Sequence, residues 1–305
     1  MELGQLRALR ELGDRGSIAA VAAALHVTPS SISQQISALQ RHSTTPLTFK
    51  DGRRMALTDA GRALAAAAVD VEVALERANQ AVTRFHNDPT GTVSVAAFHS
   101  AGRAIFGPLI STLSGAGHPK VTVSDYDVAQ DEFPLLTTDH DLVLAHRLVG
   151  SPRWPASVHV EPLLFEPLDI ALRRDHPLAA KGMLEPADLR DQSWVAVHEG
   201  FPLTHAITVI AATGGSEARI LHRINEYAVA ATVVAASDCV ALMPRYTTEL
   251  RDHPDVVLRP LAHPDVGRYI DCLARPETRE RASVALVLSA ITMIATGLTE
   301  RSAAN

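Results

Sequence analysis

SIAAVAAALHVTPSSISQQISALQ, residues 17–40, is the stretch on which the fold turns. Ser17 is an N-cap candidate for a short alanine-rich helix over Ile18–Leu25. His26-Val27-Thr28 breaks that helix, and Pro29 suits the first position of the next. Ile32, Ile36 and Leu39, spaced at i, i+4 and i+7, predict a helix over Pro29–Gln40 with that face inward. Its other face carries Ser30, Ser33, Gln34 and Ser37. Two short helices on a tight turn, the second polar outward, form the helix-turn-helix pattern.

The flanks extend it. Leu3, Leu6, Leu9 and Leu12 mark a preceding helix over 2–13, stopped by Gly13-Asp14-Arg15-Gly16. After the motif, Leu47-Thr48-Phe49 and Arg54-Met55-Ala56-Leu57 read as short strands around Lys50-Asp51-Gly52-Arg53. Asp-Gly favours a two-residue hairpin, because both central positions need positive φ. Lys50, Arg53 and Arg54 make this hairpin a wing suited to phosphate or minor groove. A long helix then follows, with Thr58 as its N-cap candidate and Asp59 at the favourable end of the dipole. Leu64, Ala68, Val71, Leu75, Ala78, Val82 and Phe85 recur in steps of four and three, a heptad seam that favours self-pairing. Asn87-Asp88-Pro89-Thr90-Gly91 ends it as a linker.

From residue 92 strands and helices alternate, an α/β pattern in which mostly parallel pairing is expected. Separate strands are read at Val158–Leu163 and Leu168–Leu172, one strand end at Ala145, and a helix over Glu277–Leu298. About 210 residues of this kind fit two small lobes better than one. The longest nearly apolar run, Val284–Leu298, is 15 residues, short of the roughly 20 that span a bilayer, and reads as a packed helix. Residues 1–15 carry six charged side chains and hold no signal-peptide core. Two cysteines, Cys239 and Cys272, are too few for a disulfide framework.

Charge is unevenly placed. The chain of 305 residues has a formal net charge of −6, which excludes a uniformly basic nucleic-acid coat. Residues 1–65 nevertheless hold eight basic and five acidic side chains, a balance of +3, leaving −9 on the remainder. That asymmetry points to a polyanion-facing N-terminus.

The first 61 residues resemble the LysR-type transcriptional regulators. The blocks that carry the resemblance are Gly16-Ser17-Ile18-Ala19-Ala20, Leu25 through Leu39, and Leu57-Thr58-Asp59-Ala60-Gly61. The long helix, the two-lobed remainder and the total length are similar to the family as well. Three positions depart from the family pattern: Gln40 stands where Glu is usual, His42-Ser43-Thr44 where a Leu-Gly pair is usual, and Leu47-Thr48 where Leu-Phe is usual. The resemblance implies an N-terminal all-α winged helix-turn-helix over 1–58 and a linker and dimerisation helix over 59–88. A two-lobed, periplasmic-binding-protein-like α/β effector domain follows over 92–305, with lobe I at 92–161 and 267–305 and lobe II at 162–266.

It also implies the chemistry. Thr28, Pro29, Ser30, Ser33 and Gln34 fall at the N-terminal end of the helix that enters the major groove. Short hydroxyls there reach phosphates or bases, and Gln34 suits a bidentate contact to adenine. Arg53 and Arg54 are the wing contacts. Effector contacts are expected at strand ends on a cleft: His99, Ser100, Asp127, Val128, Arg147, Glu199, Phe201 and Asn225, with Ser100 and Asn225 each as readily helix caps. Implied partners are double-stranded operator DNA, a small-molecule effector, a second copy through the seam, tetramers of dimers, and RNA polymerase; no membrane is implied, and the location expected is cytoplasmic. No metal spacing, phosphate loop or dinucleotide fingerprint occurs, so no cofactor and no enzyme activity are expected. The alternatives are a cytoplasmic small-molecule-binding protein or an enzyme with an accessory DNA-binding domain.

Overall fold

The structure is a computed structural model that describes residues 1–51, 54–83, 90–199, 203–248, 250 and 252–303, with the side chains of 82, 83, 302 and 303 excepted. The N-terminal winged helix-turn-helix, or reader, begins with α1 (Leu3–Arg15), closed by Gly16 at φ 68°. In α2 (Ile18–Ala24), the Ser17 hydroxyl accepts from Ala20 N at 3.1 Å. In α3 (Pro29–Gln40), Thr28 Oγ1 accepts from Ser31 N at 3.2 Å. The turn between them is made by His26 at φ 53°, the one described non-glycine residue in the left-handed region. Ile32, Ile36 and Leu39 pack with Leu6, Leu9 and Leu12 in one core.

Strands β1 (Thr48–Asp51) and β2 (Arg54–Leu57) pair antiparallel, with Asp51 opposite Arg54. Helix α4 (Asp59–Thr83) follows, 25 residues or about 37 Å at 1.5 Å per residue. Thr58 is its cap: its Oγ1 accepts from Gly61 N at 3.0 Å and donates to Pro46 O at 2.6 Å. That lashing brings backbone against backbone, and a Cβ on Gly61 would lie 2.0 Å from Leu47 O. The wing thus rests on the first turn of α4.

The remaining elements, in chain order, are β3 (Thr92–Ala97), α5 (His99–Thr112), β4 (Lys120–Asp125), α6 (Phe133–Leu136), β5 (Leu142–Leu148), β6 (His159–Arg173), β7 (Ser193–Ala196), α7 (Leu203–Thr213), β8 (Arg219–Arg223), α8 (Tyr227–Ala236), β9 (Val240–Pro244), β10 (Val256–Arg259), β11 (Gly267–Ala274), α9 (Pro276–Arg279) and α10 (Ala282–Ala303). The strand order is β4-β3-β5-β11-β6-β9-β7-β8, with β10 on β6. Helices α5 and α10 pack on the first half of this sheet, burying Ile105, Leu109, Val287 and Ile291 against Val93, Val95 and Leu144. Trp194, Ile207 and Leu242 centre the core of the second half.

Three expectations are corrected. The two strands read at 158–163 and 168–172 are one 15-residue strand, β6, which crosses between the lobes. Its first part pairs with β11 and its last part with β9 and β10. Pairing is also not mostly parallel. Among the described residues, β3–β4, β3–β5, β7–β8 and β7–β9 are parallel, while β11–β5, β11–β6, β6–β9 and β10–β6 are antiparallel. The crossing strands β6 and β11 run against their neighbours in both lobes. Third, the C-terminal helix divides at Glu280–Arg281 into α9 and α10. The stretch Ala282–Arg301 is long and apolar enough to cross a membrane by length and composition alone. Burial identifies it as a core helix, because Val284, Val287, Ile291 and Ala295 face the sheet with no exposure, and its open side carries Ser289, Met293 and Thr296.

Two glycines test this packing with opposite signs. Gly61→Ala is expected to destabilise the reader by about 1–3 kcal/mol, because the added methyl meets a backbone carbonyl. Gly107→Ala, in α5 with nothing within 4 Å of the added carbon, is expected to stabilise by about 0.4–1 kcal/mol. Urea melts of the two variants check the contrast.

Candidate DNA interface and effector cleft

Helix α3 presents an unobstructed polar edge. Thr28, Pro29, Ser30, Ser33 and Gln34 are all exposed, while the opposite face is closed by the core. Ser33 Oγ donates to Pro29 O at 3.0 Å, which leaves its lone pairs outward. An open groove of about 660 Å³ runs beside this edge, bounded by Gln5, Ser37 and Arg41. Arg54 is exposed at the wing; Arg53 lies outside the described residues. Gln40 explains its own departure from the family pattern. Its Nε2 donates to Ser43 O (3.1 Å) and Thr45 O (3.0 Å), and its Oε1 accepts from Leu47 N (2.8 Å). An amide does both; a carboxylate only accepts. The connection from α3 to the wing is thus tied by one side chain.

The heptad seam divides. Ala68 is buried in the reader core and Leu64 packs against it, so both serve the chain's own α1. Val71 and Leu75 remain 45% and 41% exposed on the same helix, and Ala78 is exposed too. The Val82 side chain and Phe85 lie outside the described residues.

Reader and lobe I meet through ions. Arg10 Nη1 binds Glu277 Oε1 at 2.7 Å and also Glu72 of α4. Arg275 binds Asp14 at 2.8 Å and also Glu11. Arg15 donates to Thr138 O at 2.9 Å and pairs with Asp139 at 3.0 Å. A cavity of about 560 Å³ lies beside this seam, lined from both sides.

The second cavity, about 70 Å³, lies between the lobes. His99, Ser100, Asp127 and Asn225 all line it, as the sequence reading expects. Asp127 Oδ2 accepts from Asn225 Nδ2 at 2.9 Å, a bond from one lobe to the other. His99 stands between Asp125 (3.1 Å) and Glu226 (3.4 Å). The other expected residues fall elsewhere. Val128 packs on the lobe I core. Arg147 turns to the opposite face of the sheet, where it pairs with Asp271 at 3.0 Å and lies 4.3 Å over the Tyr269 ring. Glu199 is exposed and pairs with Arg223 at 2.8 Å. Phe201 lies outside the described residues. The caps are also displaced: α5 starts at His99, so Ser100 is inside its first turn, and Glu226 rather than Asn225 caps α8, accepting from Ala228 N.

The floor of the cleft was not visible in the sequence. Arg268 and Glu166 form an ion pair, 2.8 Å apart with side chains 4% and 0% exposed. Arg268 Nη2 also donates to Ser100 Oγ (2.9 Å) and Thr247 Oγ1 (2.8 Å). Glu166 Oε1 accepts from Tyr246 N (2.8 Å) and Thr247 N (2.6 Å). The guanidinium lies 4.7 Å from the Phe98 ring. His146 sits edge-on to Phe98 at 4.7 Å and to Phe133 at 5.4 Å. Burial first, then the Arg268 charge, push its imidazole down to about 3, so it is a neutral donor and acceptor in the cleft. Burial raises the Tyr227 phenol, which stays protonated. Among the described residues, no three His, Cys, Asp or Glu side chains are arranged to hold a metal ion.

Comparison with known proteins agrees with this architecture. Residues 3–62 match the bacterial regulatory helix-turn-helix protein, lysR family, and residues 86–293 match the LysR substrate binding domain. The probable nitrogen assimilation transcriptional activator of Synechocystis is 25% identical over 272 residues, 88% of this chain and 86% of that protein. The RuBisCO operon transcriptional regulator of Acidithiobacillus ferrooxidans is 27% identical over 65% of this chain and 63% of its own length, just under two thirds. Among solved structures, a full-length OxyR variant of Pseudomonas aeruginosa superposes with a TM-score of 0.66 at 19% identity, covering 95% of this chain and 94% of that one. Full-length CbnR complexed with its target DNA superposes at 0.54 with 22% identity, covering 97% and 100%.

The neutral His146 sets a pH dependence. Its native value lies below the ordinary 6.5, so the unfolded chain binds the extra proton and stability falls as pH falls from about 6.5 towards about 3. Between pH 7 and pH 5 this group alone withdraws about 2 kcal/mol. Thermal melts should show His146→Gln losing less stability than the parent over that interval.

Proposed function

Since the chain belongs to the LysR family of bacterial regulatory helix-turn-helix proteins, we propose that α3 reads operator DNA in the major groove through Thr28, Pro29, Ser30, Ser33 and Gln34. Arg54, together with Arg53, is assigned to the phosphates or minor groove beside it. The observation that carries this reading is the α3 edge itself, exposed, short and polar over its first turns, beside a basic wing. Apolar exposure at Val71 and Leu75 supports pairing of two α4 helices, because isolated apolar side chains on a long helix are shielded by a second copy. Two readers on a two-fold axis call for an inverted-repeat operator. Tetramers of such dimers, contact with RNA polymerase, and a cytoplasmic location complete the reading. The cleft between the lobes is the effector site, with His99, Ser100, Asp127, Asn225 and Arg268 as its contacts. Effector binding acts by favouring one arrangement of readers over another, and needs different affinities for the two. The role is one of binding and signalling, without catalysis.

Gel shifts with the DNA upstream of its own gene test the regulator reading. A salt-sensitive, sequence-selective shift is expected, and its absence at low salt would sink the assignment. Ser33→Ala with Gln34→Ala should reduce specific binding tenfold or more, at about 1–3 kcal/mol per lost base contact, with circular dichroism unchanged. Undiminished sequence discrimination would remove α3 as the reader. Leu75→Glu should convert dimers to monomers in sedimentation at low micromolar concentration; persistence of dimers would remove the α4 pairing.

A further inference from the structure

The cleft has two poles of opposite sign. At one pole Arg268 uses Nε and Nη2 on Glu166, Ser100 and Thr247, while Nη1 has no partner among the described residues. Beside it begins α5, whose 14 residues start at His99 without a side-chain cap, so the backbone N–H groups of its first turn are open donors. At the other pole stand the carboxylates of Asp127, from lobe I, and Glu226, from lobe II, both lining the cavity. Glu166 already neutralises Arg268. A simple anion would therefore enter a cleft whose remaining charge is negative. A simple cation would satisfy the carboxylates and leave Nη1 and the helix end unpaired, which a closed and partly apolar site penalises.

We propose that the cleft takes a small zwitterion of the α-amino acid class, its carboxylate on Arg268 Nη1 and the first turn of α5, its ammonium on Asp127 and Glu226. This rests on the reading of the cleft as the effector site. The cavity of about 70 Å³ admits only a few non-hydrogen atoms in the present arrangement of the lobes, which favours a compact ligand with both charged groups attached to one carbon. Leu148, Val197 and Leu203 supply the apolar wall for its side chain.

The test is isothermal titration of the full-length protein with the twenty common α-amino acids, and with the N-acetyl derivative and methyl ester of each. Propionate and propylamine serve as single-charge probes. At least one free amino acid is expected to bind below millimolar concentration, and both of its single-charge derivatives at least tenfold more weakly. Asp127→Asn should weaken that binding at least fivefold, and Asn225→Trp, which fills the cleft, should abolish it; circular dichroism verifies that both variants are folded. Silence of all twenty amino acids overturns the proposal. Propionate or propylamine binding more tightly than the amino acids, and lost in Asn225→Trp, overturns the zwitterion while leaving the cleft as the effector site. An amino acid whose binding is unchanged in both variants sits elsewhere, and overturns the proposal and the cleft reading together.

Discussion

The Arg268–Glu166 pair holds the sensor in one piece. The two residues lie on β11 and β6, the strands that cross between the lobes, and both are buried, Arg268 opening only to the cleft. Burying such a pair is costly unless every remaining donor and acceptor is matched. Here, with Arg268 Nη1 left open to the cleft, the match draws on both lobes: Ser100 at the start of α5 on one side, and Tyr246 and Thr247 after β9 on the other. Leaving either charge without its partner costs about 3–5 kcal/mol. The relative placement of the lobes, and with it the shape of the cleft, is therefore tied to one set of hydrogen bonds. Ser100 is in that set, so a residue that lines the cleft also belongs to the framework.

β11 has a second end. Arg268 stands at its start, in the cleft, and Arg275 directly follows its end, where it pairs with Glu11 and Asp14 of α1. Seven residues of extended chain span about 23 Å. One strand thus joins the floor of the cleft between the lobes to the reader. The next residues continue the contact, since Glu277 of α9 binds Arg10 and Glu280 binds Arg77 of α4 at 3.0 Å. A change in the angle between lobes bears on a strand whose far end grips the first helix of the DNA-binding unit.

Local chemistry was legible in the sequence and long-range pairing was not. Ser17 and Thr58 are caps where their residue type and position place them, and α3 has the predicted bounds, because a cap and a helical stripe are set within a few residues. The sequence of β6 suggests two strands because Glu166 and Pro167 interrupt its apolar run. Glu166 is buried only because Arg268 arrives 102 positions later. Arg147 failed as a cleft residue for a matter of parity. β5 runs on to Leu148 instead of stopping at Ala145, and alternation then places His146 and Leu148 in the cleft and Arg147 behind it. The seam on α4 carries the same lesson: periodicity chose the face, but α1 covers Ala68 and not Val71, which only the packing decides.

The placement of basic residues refines the charge argument. Of the eight basic side chains in residues 1–65, Arg7 and Arg10 bind Glu72, and Arg15 binds Glu11 and Asp139. Arg62 binds Asp59 and the carbonyl of Leu57. Half of the basic residues are therefore spent on holding the reader to its linker and sensor. Arg41 lies beside the α3 groove, and Lys50 and Arg54 stand exposed on the wing. The local balance of +3 is thus a poor measure of what faces DNA, since the α1 arginines that swell it meet carboxylates on this chain. Few phosphate contacts per reader mean weak binding by one copy, because each neutralised phosphate adds to affinity through counterion release. The proposed doubling of readers across a two-fold axis would compensate for that weakness, since the second contact is made at high local concentration. The ion pairs that anchor α1 and the proposed pairing of α4 are in this sense one constraint: charge committed to rigidity is unavailable to DNA, and the proposed pairing would restore the affinity.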